Sequence, residues 1–204
     1  MANSNAPFGL RPVRTLNGAP WNGAVNLYFA TGATGVIAPG DPVVNRGTCN
    51  TVSFGGFEPG MLPECGIASA GASNVITGVC VSVLPVTRDS LPYRETSTDR
   101  IIAVADDPQL IFHCQENSGG AAFAAVDQGR FAVLAAGTAS TVTGRSAWVI
   151  DTGTATNTTV TFQVLLMRYA NVPSNAIGTN AVWEVMLLNH QYAALSNAGR
   201  FTPV

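Results

Sequence analysis

The sequence predicts an all-β protein: an antiparallel β-sandwich or barrel, jelly-roll-like, with an extended N-terminal arm over residues 1–23 and one domain over residues 24–204. Three observations carry this. Apolar and β-branched residues come in short runs, several alternating with polar residues at the two-residue period of a half-buried strand. Gly, Pro, Asn and Thr punctuate the runs, and each of these residue types favours a turn for its own conformational reason. No stretch holds a 3.6-residue period long enough for an amphipathic helix.

Residues 1–23, MANSNAPFGLRPVRTLNGAPWNG, contain three prolines and three glycines and show neither strand nor helix periodicity. Phe8, Leu10, Val13, Leu16 and Trp21 are nonetheless spread through them, more apolar surface than a solvated tail carries. Such a segment orders against something, and two readings are open: it folds back on its own domain, or it binds a partner. A strand follows at residues 24–30, where Val25, Leu27 and Phe29 alternate with Asn26 and Tyr28. Pro39-Gly40-Asp41-Pro42 then turns the chain into a short strand at 43–45. Residues 47–65 hold Gly55-Gly56, Pro59-Gly60 and Pro63 and read as a long contact-forming or mobile loop.

Residues 73–84, SNVITGVCVSVL, form the strongest strand by composition, with Gly78 as a candidate bulge. Pro85 ends it, and residues 87–100 are polar. Residues 101–105 and 110–114 are two apolar runs around Asp106-Asp107-Pro108-Gln109, a turn former, and the expectation is a β-hairpin at the centre of the fold. Within the second run Leu110, Phe112 and Cys114 share one face and Ile111, His113 and Gln115 the other. Residues 116–126 contain one helical turn at most, and strands at 131–134, 146–150, 158–169 and 181–192 complete the chain.

The composition narrows the function. Apolar residues make up 47% and charged residues 11% of 204, against a usual quarter charged, so much of the surface is suited to meeting protein rather than water. All ten basic residues are arginines and the net charge is −2, which offers no footprint for nucleic acid or an anionic membrane. No segment is long and apolar enough to span a bilayer, and MANSNAPFG lacks the basic and apolar regions of a secretory signal. Cys49, Cys65, Cys80 and Cys114 are irregularly spaced, as expected of reduced, mostly buried thiols.

The one catalytic-looking string is Asp151-Thr152-Gly153 after an apolar strand, which in a dimer would place two aspartates together as in an aspartic protease. Asp, Thr and Gly after a strand also make an ordinary turn, and that reading prevails. His113 and Cys114 point to opposite faces of a strand and cannot share a metal, and His190 has no ligand-like spacing. Asp106 and Asp107 read as turn carboxylates. With no lysine there is no phosphate-binding P-loop, and no Gly-x-Ser-x-Gly elbow occurs. No residue receives a catalytic, metal or cofactor assignment, and no cofactor is expected.

The string NAPFGLRPVR followed by LNGAPWNGA resembles the N-terminus of head decoration (cement) proteins of tailed bacteriophages. The likeness continues through Asp107-Pro108 and the strand ending at Gln115, and through the closing strand into Asn189-His190. The resemblance implies a non-enzymatic protein, made in the host cytoplasm, that sits on the outer capsid surface of the virion. It implies a homo-oligomer, a trimer, bridging neighbouring copies of the major capsid protein and binding neither nucleic acid nor membrane. Rival virion roles are a head fibre, a host-binding protein or a minor capsid or tail component. No family site residues come with the likeness. The expected partner contacts are therefore the arm's own: Phe8, Leu10 and Trp21 for apolar burial, Arg11 and Arg14 for acidic groups.

Overall fold

The computed structural model describes residues 3–32, 35–117, 119–158 and 162–193. Among them, the first seven strands are β1 (Arg11–Thr15), β2 (Asn26–Ala30), β3 (Pro42–Cys49), β4 (Pro63–Ile67), β5 (Gly78–Val83), β6 (Arg100–Ala105) and β7 (Leu110–Gln115). The remaining five are shorter on average: β8 (Phe131–Ala132), β9 (Leu134–Ala135), β10 (Val149–Ile150), β11 (Val164–Tyr169) and β12 (Val182–Leu187). The fold is all-β, as the sequence predicts.

Five strands close a barrel in the order β2-β4-β3-β5-β6, with β6 returning to β2. Every pair in it is antiparallel except β2 with β4, which run parallel over Phe29↔Glu64 and Ala30↔Cys65. Beside the barrel lies an antiparallel sheet, β1-β7-β12-β11-β8, while β9 and β10 form a separate pair.

The expected hairpin is corrected by this arrangement. Both strands form at the expected residues, but β6 pairs with β2 and β5 inside the barrel, whereas β7 pairs with β1 and β12 in the sheet. The turn between them therefore hands the chain from one layer to the other. Asp106 is tied to the barrel, accepting from Asn26 Nδ2 at 2.9 Å and Tyr28 OH at 2.8 Å. Asp107 serves the turn itself, its Oδ1 accepting from the Gln109 N–H at 2.9 Å.

A second correction concerns the first 23 residues, where Arg11–Thr15 is a strand at the edge of the sheet. Pro12 and a register shift between Pro12 and Arg14 erase the two-residue alternation by which a strand is recognised. A proline that cannot donate is tolerated at such an edge. In β5 the irregularity lies between Cys80 and Ser82, not at the expected Gly78. Gly78 instead permits a close crossing: a Cβ there would stand 2.5 Å from the Ala105 carbonyl oxygen.

Two layers explain why β6 is buried on both faces. Ile102 and Val104 join Tyr28, Val43, Cys65 and Cys80 in the barrel interior. Ile101 points outward beneath Phe54 and Phe57 of the 50–62 loop, and Ala105 faces the sheet. That loop is built around Asn50, whose side chain donates to the carbonyls of Val52 and Glu58 and accepts from the Leu62 N–H. The largest core fills the space between sheet and barrel, where Trp183 meets the rings of Phe123 and Tyr169 edge-on at 5.7 Å each.

Candidate functional site

The site starts from the string Pro7-Phe8-Gly9-Leu10. Gly9 and Gly40 both adopt left-handed backbone, at φ +72° and +97°, and meet face to face. A Cβ on Gly9 would lie 2.2 Å from the Gly40 carbonyl oxygen, and a Cβ on Gly40 2.2 Å from that of Phe8. Only a glycine pair allows this approach, which the Leu10 N–H completes by donating to the Gly40 carbonyl at 2.9 Å. The Pro39-Gly40-Asp41-Pro42 turn is thus a seat for the N-terminal segment. Asp41 anchors the seat from below: it is buried, accepts from the Ala38 N–H at 2.8 Å, and burial pushes its carboxyl up to about 6.

Side chains hold the segment on either side of that seat. Asn3 donates to the Ala176 carbonyl and accepts from the Ala176 N–H at 2.9 Å. Gln115 accepts from the Ala6 N–H at 3.2 Å and donates to the Ser4 carbonyl at 2.8 Å. Farther on, the Trp21 N–H donates to the Val13 carbonyl at 3.0 Å, folding residues 16–21 back along the edge of β1. The segment lies on its own domain through most of its length.

Between this segment, the barrel and the sheet runs an open cleft of about 670 Å³. Phe8, Leu10, Arg11, Pro12 and Trp21 line one wall, Pro39, Gly40 and Val81 the barrel side, and His113, Arg145, Val172 and Val182 the rest. Four of the five arm residues singled out from sequence are therefore brought together here. They are not equivalent. Leu10 is 1% exposed and fills its own core, so this conformation does not offer it as a contact. Phe8 and Trp21 are half-buried and Arg11 is exposed.

Arg14, the fifth, already has a carboxylate within the chain. Its Nε and Nη2 donate to Glu184 Oε2 at 3.0 and 2.6 Å, and Arg168 Nε and Nη2 reach the same carboxylate at 2.9 and 3.0 Å. Register places Arg11 beside His113, His113 beside Glu184, and Glu184 beside Arg168, all on the sheet face away from the main core. Burial pushes the Glu184 carboxyl up, but Arg168 and Arg14 more than offset it and hold it below its ordinary value. Burial, aided by Arg11, Arg14 and Arg168 and opposed by Glu184, holds His113 below its ordinary value. Arg11 and Arg145 make no ion pair among the described residues.

The other candidates resolve into structure. Asp151 caps a 3₁₀ turn at Thr152–Thr154, its Oδ1 accepting from Gly153 N at 3.0 Å and Asn117 Nδ2 at 3.2 Å. Cys114 lies in the main core, its thiol pushed up to about 12 by burial, while His113 faces the other way. All four cysteines are free thiols. No group of three or more His, Cys, Asp or Glu able to hold a metal occurs among the described residues, and no helix there is long and apolar enough to cross a membrane.

Sequence reasoning missed Glu184 as the hub of the sheet face and Glu116 as a buried carboxylate. Glu116 Oε2 accepts from Trp183 Nε1 at 2.9 Å, and burial pushes its carboxyl up to about 7. The alternation of β12 does set Glu184 apart from Trp183 and Val185, but its partner Arg14 comes from a stretch without periodicity. Scans against family models, curated proteins and solved structures each find no match for the chain.

Proposed function

We propose that the chain is a structural protein of a tailed-phage head, a decoration or cement protein. In this reading it attaches to the outer shell surface as a homo-oligomer, a trimer, and bridges neighbouring copies of the major capsid protein. One observation carries the reading: the string NAPFGLRPVR, which bears the resemblance to such proteins, is also the string that builds the wall of the cleft. The sparse charge of the chain supports a surface made for protein contact.

The docked segment changes how the attachment works. A loose arm would lose backbone entropy on binding, about 1–2 kcal/mol for each residue ordered. A segment already bonded to its own domain presents Phe8, Arg11 and Trp21 on a preformed surface and avoids most of that loss. Apolar burial contributes about 25 cal/mol per Å² of surface removed from water, so modest contacts suffice when several copies act together. The clip would strengthen a shell because its contacts must break before neighbouring capsid subunits separate.

Sedimentation of purified protein with DNA-filled heads of the phage that carries this sequence tests the reading. Saturable binding with a fixed number of copies per head is expected. Failure to cosediment at micromolar protein, with the chain missing from purified particles, would refute it.

A further inference from the structure

We infer that the cleft beside the N-terminal segment takes an extended acidic segment of a partner protein, one aromatic or large aliphatic side chain flanked by carboxylates. The inference rests on reading this cleft as a docking site and adds the chemistry of what docks. Its lining is largely apolar, with Phe8, Trp21, Val81, Val172 and Val182 among the residues that form it. Its volume of about 670 Å³ falls within the range that encloses a compact ligand, room for one large side chain and its neighbours.

Among the described residues, the charged side chains that line the cleft, Arg11 and Arg145, are both cationic. Arg11 and Arg145 both line the cleft, both are exposed, and neither makes an ion pair among the described residues. Nearby, Arg14 and Arg168 share the single carboxylate of Glu184, so that cluster carries surplus positive charge too. This local excess stands against a chain whose net charge is −2. A guanidinium presents donors in a planar fork that suits a carboxylate, and an unpaired one at an apolar cleft favours an occupant with both features. A nucleic acid strand fits less well, because binding along its backbone needs a track of cations, and here two arginines without an ion pair among the described residues flank an apolar surface.

The test uses the full chain and a fluorescein-labelled peptide, Gly-Asp-Glu-Phe-Asp-Gly, with Gly-Lys-Lys-Phe-Lys-Gly as its counterpart, read by fluorescence anisotropy. The acidic peptide is expected to bind about tenfold or more tightly than the lysine peptide, and to weaken as salt rises from about 50 to about 500 mM. The double variant Arg11→Glu/Arg145→Glu, two exposed positions, should lose about tenfold or more of that affinity with an unchanged thermal midpoint. Arg145→Ala alone should show a smaller loss in the same direction. Equal binding of the two peptides, unchanged binding by the double variant, or displacement by an oligothymidylate would each overturn the inference. The same double variant separates this inference from the capsid reading. If it still fills heads to wild-type occupancy, the shell attachment stands and the cleft is not its docking site. If the acidic peptide binds the cleft and wild-type protein ignores heads, the cleft chemistry stands and the capsid reading falls.

Discussion

The main-chain N–H of Leu10 donates to the carbonyl of Gly40 at 2.9 Å, and this bond joins the two glycine-bearing strings on which the N-terminal segment depends. Phe8-Gly9-Leu10 and Pro39-Gly40-Asp41 lie 31 positions apart, yet each needs the other to lack a side chain. The segment is therefore an integral edge of the molecule, and the surface it forms is in place before any partner arrives.

Replacing Gly9 with Ala should undock the segment. The left-handed backbone at φ +72° alone costs a residue with a Cβ about 1–2 kcal/mol, and the main-chain clash with Gly40 adds to it, for a total of about 2–4 kcal/mol. Gly18→Ala is the control: φ is +91° but nothing lies within 4 Å, so only the conformational cost of about 1–2 kcal/mol remains. Trypsin cleavage after Arg14 should accelerate in Gly9→Ala and not in Gly18→Ala. Equal rates in the two variants would contradict the docking.

The two arginines on Glu184 should differ in worth. Arg14 has a side chain 21% exposed and ties the edge strand to β12, so Arg14→Ala should cost about 1–2 kcal/mol by urea unfolding. Arg168 is 57% exposed, where solvent screens the pair, and Arg168→Ala should cost under about 1 kcal/mol. Double-mutant cycles with Glu184→Gln should give the larger coupling for Arg14. The reverse order would remove the case that this pair anchors β1.

Glu116 should make stability depend on pH. Burial pushes its folded-state carboxyl up to about 7, above its ordinary value near 4.5, so the folded state holds this proton more tightly than the unfolded chain. The contribution is full below about pH 4.5 and is lost as pH rises through about 7. His113 and His190, both held below their ordinary values chiefly by burial, act oppositely at acidic pH, so the informative quantity is the difference between Glu116→Gln and wild type. Thermal midpoints at pH 5 and pH 8 should show the variant gaining on wild type at the higher pH. A pH-independent difference would show that Glu116 does not titrate in this window.

Asp151 should behave as a cap. Asp151→Ala should cost about 1 kcal/mol, whereas Asp151→Asn, which keeps an acceptor for the Gly153 N–H, should be close to neutral. Neither variant should alter hydrolysis of a casein or peptide substrate. A peptidase activity lost in Asp151→Asn would restore the protease reading.

What could be read from the sequence, and what could not, follows from the range of each signal. Alternation and turn chemistry are local, and they locate β6, β7 and β12 and the Asp106-Asp107 turn. They say which faces a strand has but not which neighbours it takes, so β6 and β7 read as a hairpin although their ladders belong to different layers. The strand at Arg11–Thr15 is hidden by Pro12 and a bulge, two features that break the pattern without breaking the pairing. Glu184 and Arg14 stand 170 positions apart, and no spacing rule connects them. The arm residues were legible as a group because apolar side chains are conspicuous among prolines and glycines. That Leu10 points inward while Phe8 and Trp21 border a cleft depends on the fold itself.

The central claim is that the face built by the N-terminal segment fastens this protein to a protein shell, and a reconstruction of the intact particle tests it most directly. Several copies are expected on the outer surface, with density from the shell entering the cleft between Trp21 and Arg145. Copies seated with that cleft open to solvent, or particles without the chain, would contradict it.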